Sequence, residues 1–105
     1  MNINHLNLIM QKEDVIARLK EELPKLKEDF GVKSIGLFGS YAKGAQNEES
    51  DIDLLVDINE PLSKNFFGLW NYLENRFNKK VDLTRKGRHL RKKFTLAIES
   101  EIIYA

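Results

Sequence analysis

The chain contains no cysteine. That excludes a disulfide framework and any thiolate metal site. A metal would have to be held by oxygen or by one of the two histidines, His5 and His89. Nor is there an apolar run approaching the roughly 20 residues needed to span a bilayer. Met1–Met10 lacks the basic n-region and long apolar h-region of a secretory signal. The expectation is a cytoplasmic location without membrane contact. What is present is a 105-residue chain, 42% apolar and 31% charged. That balance reads as globular rather than disordered, and the length fits one domain, residues 1–105, with a modest core.

Net charge is only +1, but its distribution is uneven. Glu48 to Glu60 holds six acidic residues and no Lys or Arg, whereas Arg76 to Lys93 holds nine Lys/Arg and one acid, Asp82. A basic run is either solvated surface or a surface that attracts an anion: a nucleotide, a nucleic acid or an acidic partner.

The hydrophobic pattern changes period along the chain. Over residues 11–30, Val15, Ile16, Leu19, Leu23, Leu26 and Phe30 fall on one helical face. Pro24 is expected to kink that helix or start a new turn, and Gly31 to end it. Val32–Phe38 reads as a strand that stops at Gly39, followed by a short helical turn, Ser40–Gly44, and a polar loop, Ala45–Ser50. Asp51–Ile58 alternates with period two, so Ile52, Leu54, Val56 and Ile58 share one face and Asp51, Asp53, Leu55 and Asp57 the other. Leu62–Phe77 is again helical, Lys80–Thr84 is a third strand, and residues 88–104 repeat helically through Leu90, Phe94, Ala97, Ile98 and Ile102. The order implies an α/β (α+β) fold: a small mixed sheet with helices packed on one face, and a core of residues 32–84 between two terminal helices.

Two pairs of residues point to chemistry. Asp51 and Asp53 leave the same face of a strand with Cα atoms roughly 7 Å apart. Two carboxylates about 5 Å apart repel by about 3 kcal/mol at an effective dielectric of 20. A cation offsets this, and oxygen ligands favour Mg²⁺ or Mn²⁺, which Mg²⁺ completes with substrate phosphates. Gly39-Ser40, between a strand and a turn, lets a phosphate approach backbone N–H groups and a hydroxyl. Taken singly, the carboxylates could be solvent-facing strand residues and Gly-Ser a plain turn. Two familiar alternatives fail. Gly39 and Gly44 have P-loop spacing, but Ala45-Gln46 stands where Lys-Ser/Thr is required. Val56 stands where an EF-hand loop needs Gly.

The combination is more specific than its parts. Leu37-Phe38-Gly39-Ser40-Tyr41-Ala42-Lys43-Gly44, with ten residues between Ser40 and Asp51, then Ser50-Asp51-Ile52-Asp53-Leu54-Leu55-Val56, resembles the minimal nucleotidyltransferase (MNT) family of the DNA polymerase beta-like superfamily. Lys80-Val81-Asp82-Leu83 matches that family's later strand, which implies Asp82 as a third carboxylate. Lys43 stands where Arg is frequent. The resemblance implies an enzyme that docks a nucleoside triphosphate, ATP above all, against Gly39, Ser40 and Lys43. Two Mg²⁺ ions about 4 Å apart would be held by Asp51, Asp53 and Asp82. Asp82 is also placed to act as general base for a hydroxyl attacking the α-phosphorus. The family includes antitoxins paired with HEPN toxins, so the implied acceptor is a tyrosine of a HEPN-domain partner, modified with AMP. Two alternatives differ in class: a binding antitoxin or nucleic-acid-binding module without turnover, and a transferase acting on a small-molecule hydroxyl.

Smaller expectations follow for other residues. Phe66, Trp70 and Phe77, with Phe67, read as core rather than as a base-stacking platform. Tyr41 either lines the nucleotide site or packs on the sheet, Asp57 faces solvent, and His5 and His89 are surface residues.

Overall fold

The computed structural model describes residues 10–59 and 62–105, with side chains left aside at 62–65. His5 and Glu60 lie outside the described residues. The elements are α1 (Lys12–Phe30), β1 (Val32–Phe38), α2 (Gly39–Lys43), β2 (Ile52–Ile58), α3 (Leu62–Phe77), β3 (Val81–Arg85), α4 (Lys92–Glu99) and β4 (Ile103–Tyr104). They form one four-stranded sheet in the order β3-β2-β1-β4. β1 runs antiparallel to both β2 and β4. β2 and β3 run parallel, with α3 as the crossover that a parallel pair requires.

α1 begins at a capping box between Gln11 and Asp14 and ends on Gly31 in the left-handed region (φ 69°). Pro24 lies inside this helix without ending it. Pro24 and Lys20 are both exposed, so the Lys20 carbonyl that loses its partner can turn to water. The apolar stripes of α1 and α3 pack on one sheet face, where Val15, Leu19 and Leu26 meet Ile35, Leu37, Leu54, Val56, Leu69 and Leu73. A register shift in β1 between Val32 and Ser34 lets Val32 and Ile35 face this core although they differ in parity. Trp70 and the buried Phe66 and Phe77 belong to the same core, and the Trp70 indole N–H donates to the Val81 carbonyl at 2.6 Å. Phe67 is exposed. Tyr41 is fully buried in this core, which settles its alternatives in favour of packing.

Glu22 is the buried charge on α1. Its carboxylate accepts from Tyr72 Oη and from Arg76 Nε at 2.9 Å, so it ties α1 to α3. The opposite sheet face holds a smaller cluster of Phe38, Leu55 and Ile98, joined by Leu90, Phe94 and Ile102.

The helix expected over residues 88–104 needs correction. Only Lys92–Glu99 is helical. The chain then turns: the N–H groups of Glu101 and Ile102 both donate to the Ile98 carbonyl, and Ile103–Tyr104 extends to pair with Leu37 and Gly36. Two features compete with helix propagation here. Ile102-Ile103 is a β-branched pair, which suits a strand. Gly36 lets the chain come close, because a Cβ there would lie 2.7 Å from the Ile102 side chain. Leu90 and Ile102 still join Ile98, but from a bend and a turn rather than from one helix.

Candidate active site

The ladder assembles the acidic residues. Asp53 is paired in register with Asp82 on β3 and with Phe38 at the end of β1. Adjacent strands lie about 4.8 Å apart, so Asp53 and Asp82 are immediate neighbours. Leu54 and Leu83, one residue on, turn into the main core, which leaves Asp53 and Asp82 on the other face. Asp51 lies just before β2. Asp51 and Asp53 are half-buried and Asp82 is exposed. Asp57 is half-buried further along β2.

Gly39 has φ 76°, a conformation that L side chains rarely adopt. A Cβ built there would collide with the Asp53 carboxylate. Two independent requirements therefore select glycine: the turn out of β1 and the closeness of Asp53. Ser40 follows, and α2 closes on Gly44 (φ 72°), whose N–H and that of Ala45 return to the Ser40 carbonyl. Lys43 is the last residue of α2 and is exposed.

The Asp53 carboxyl is pushed up from 3.8 to about 6. Burial is the main cause, and the charges of Asp82, Asp51 and Glu101 add to it. Half-buried carboxylates that repel one another are a site deficient in positive charge. Oxygen donors of this kind fit a hard cation such as Mg²⁺. Among the described residues, no group of three or more His, Asp or Glu side chains stands ready to hold an ion by itself.

Glu101 was not singled out in the sequence. It is an acid between α4 and β4, and nothing in its spacing separates it from Glu99. The fold carries it beside Gly39, whose N–H donates to Glu101 Oε2 at 3.1 Å. The same oxygen lies 3.7 Å from Lys43 Nζ. The basic residues Lys86, Arg88, Arg91, Lys92 and Lys93 are exposed, as is His89.

The Gly39 turn thus stands against Asp53, with Asp82 in register on the neighbouring parallel strand. Residues 16–101 match the family described as Nucleotidyltransferase domain, and the chain belongs to that family. It is 52% identical over 82 residues to a Methanocaldococcus jannaschii protein whose name offers it as a candidate protein adenylyltransferase, covering 77% of this chain and 92% of that one. It is 38% identical over 93 residues to the protein adenylyltransferase MntA of Thermococcus cleftensis, covering 88% and 93%. A solved structure described as a candidate minimal nucleotidyltransferase shares the fold with a TM-score of 0.72 and 30% identity, over 90% of this chain and 95% of that one. A more distant likeness, of fold alone, is to a complex of a tri-AMPylated Shewanella oneidensis HEPN toxin with its MNT antitoxin. There the TM-score is 0.53 and the identity 21%, over 89% of this chain and 66% of that one. Among the described residues, no helix is long and apolar enough to cross a membrane.

Proposed function

We propose that this chain is a Mg²⁺-dependent protein adenylyltransferase that moves AMP from ATP to a tyrosine hydroxyl of a HEPN-domain toxin and so acts as its antitoxin. The observation that supports it most is the placement of the Gly39 turn against Asp53, with Asp82 in register beside it. The relatives named protein adenylyltransferase supply the reaction class, and the AMPylated HEPN complex supplies the partner class.

The β,γ-phosphates of ATP dock at Gly39, Ser40 and Lys43. Asp51, Asp53 and Asp82 hold the cation, which when bound supplies neutralisation of the phosphate oxygens. Asp82 is exposed, whereas Asp51 and Asp53 are half-buried, so Asp82 is the acid we assign to the acceptor. Its carboxylate accepts the proton of the tyrosine hydroxyl as that oxygen bonds to the α-phosphorus. The bond between the α-phosphorus and its bridging oxygen breaks, and pyrophosphate leaves. Holding donor and acceptor in line does most of the work.

The test is co-expression with a HEPN protein encoded beside this gene, read by intact mass. The expected result is a stable complex and a mass gain of one or more AMP on the neighbour. The Asp51→Asn/Asp53→Asn double variant should leave the neighbour unmodified. AMP transfer that survives that double change removes these residues from the mechanism. Absence of both complex and mass gain refutes the antitoxin reading.

A further inference from the structure

One carboxylate holds two of the groups assigned above to phosphate. Glu101 Oε2 accepts the Gly39 N–H at 3.1 Å and lies 3.7 Å from Lys43 Nζ. The Glu101 side chain is only 19% exposed, whereas that of Lys43 is 61% exposed. The lysine is therefore free to swing, while the carboxylate is seated. Its seat is built by the fold: the N–H groups of Glu101 and Ile102 are fixed to the Ile98 carbonyl, and Ile102 packs against Gly36. A phosphate oxygen and a carboxylate oxygen make the same demands on an amide N–H and an ammonium group.

We propose that Glu101 is an internal competitor for the nucleotide's phosphates, occupying Gly39 N–H and Lys43 until a phosphate displaces it and so setting the affinity for triphosphate. This rests on the transferase reading above. Displacement needs only rotation of the Glu101 side chain, because the backbone hydrogen bonds of the turn do not involve the carboxylate. Glu101 also adds a third negative charge, after Asp82 and Asp51, to the field around Asp53. A bare polyphosphate meets that field unshielded, whereas a cation-bound one does not. Glu101 thus makes phosphate binding depend on the divalent cation.

The experiment is calorimetry on the full chain with tripolyphosphate in EDTA and with ATP plus Mg²⁺, comparing wild type, Glu101→Gln and Glu101→Ala. Glutamine keeps the shape and an oxygen to accept the Gly39 N–H but removes the charge. The expected result is that E101Q binds metal-free tripolyphosphate about tenfold more tightly than wild type. Its gain with ATP and Mg²⁺ should be smaller. E101A should show the same direction, and a melting curve for each variant separates affinity from folding. A carboxylate that merely caps the end of β1 predicts unchanged affinity in E101Q and lower stability in E101A, and that pattern overturns the proposal. A fall in metal-free affinity in E101Q also overturns it. If wild type binds ATP with Mg²⁺ and E101Q is unchanged in both titrations, the competitor role fails and the transferase reading stands. If neither protein binds ATP with Mg²⁺, the transferase reading fails and the proposal with it.

Discussion

Replacing Asp53 with asparagine should stabilise the metal-free protein while abolishing transfer. The Asp53 carboxyl titrates at about 6 against an ordinary 3.8. In the folded state its ionisation is opposed first by burial and then by Asp82, Asp51 and Glu101. In the unfolded chain it is opposed by none of them. Between the two values the folded state binds more protons than the unfolded one, so stability falls as pH rises from about 4 to about 6 and is level above that. Roughly two units at 1.36 kcal/mol each set a ceiling of about 3 kcal/mol. The carboxyl is only half-buried, and solvent screening reduces the expected cost to about 1–2 kcal/mol. The Asp53→Asn change removes the charge and keeps the shape. Thermal melts in EDTA should place D53N above wild type at pH 7–8, by about 4–8 °C for each kcal/mol in a domain of this size. The advantage should shrink as pH is lowered through 6 and vanish near 4. Added Mg²⁺ should raise the melting temperature of wild type more than that of D53N. A variant no more stable than wild type at pH 8, or an advantage that does not change with pH, would refute the electrostatic account.

Other substitutions test separate parts of the structure. Gly39→Ala meets both a φ of 76° and the Asp53 carboxylate, and should cost at least about 1–3 kcal/mol in chemical denaturation. Activity should be lost along with that stability. Glu22→Ala leaves Tyr72 and Arg76 without their shared acceptor. Because Arg76 is half exposed, the loss should be about 2–3 kcal/mol rather than the full penalty of a buried pair, read as a lower denaturation midpoint with unchanged ATP affinity. Gly36→Val would force Ile102 away and loosen β4 from β1, seen as faster amide exchange at the N–H groups of Leu37 and Ala105, with β2 unaffected. Lys43→Ala should raise the KM for ATP more than it lowers kcat, since an exposed cation binds phosphate alike in ground and transition states.

Local signals located most of the fold. Period-two alternation over residues 51–58 separated the core face of β2 from the Asp face, and the structure places Leu54 and Val56 in the core with Asp53 opposite. Gly31 ended α1 where a left-handed cap was needed. Pro24 was the weaker signal, because the sequence does not say that the carbonyl it orphans faces water. The error at residues 88–104 has the same origin. Leu90, Phe94, Ile98 and Ile102 keep helical spacing because all four meet one cluster, yet the chain reaches that cluster by a bend, a two-turn helix and the turn that precedes β4. Periodicity reports which residues are buried together, and only the tertiary path decides how.

The same limit explains Glu101. Gly39 and Ser40 open the turn that leaves β1, and Asp51 and Asp53 stand at the start of the next strand, β2, so their meeting is a local event with a fixed spacing. Asp82 arrives through one parallel crossover and is still marked by its strand. Glu101 reaches Gly39 only because β4 pairs with the far edge of β1, 62 residues away in sequence. Nothing local ties an acid in that turn to a glycine at the end of β1. β1 is flanked by β2 and the carboxylates on one side and by β4 and Glu101 on the other. On the proposed reading, the turn at its end stands between the acids that would hold a cation and the acid that holds Gly39 and Lys43. A nucleotide docking at Gly39 would then have to satisfy both sides at once, so a cation-bound triphosphate should suit this site better than a bare one.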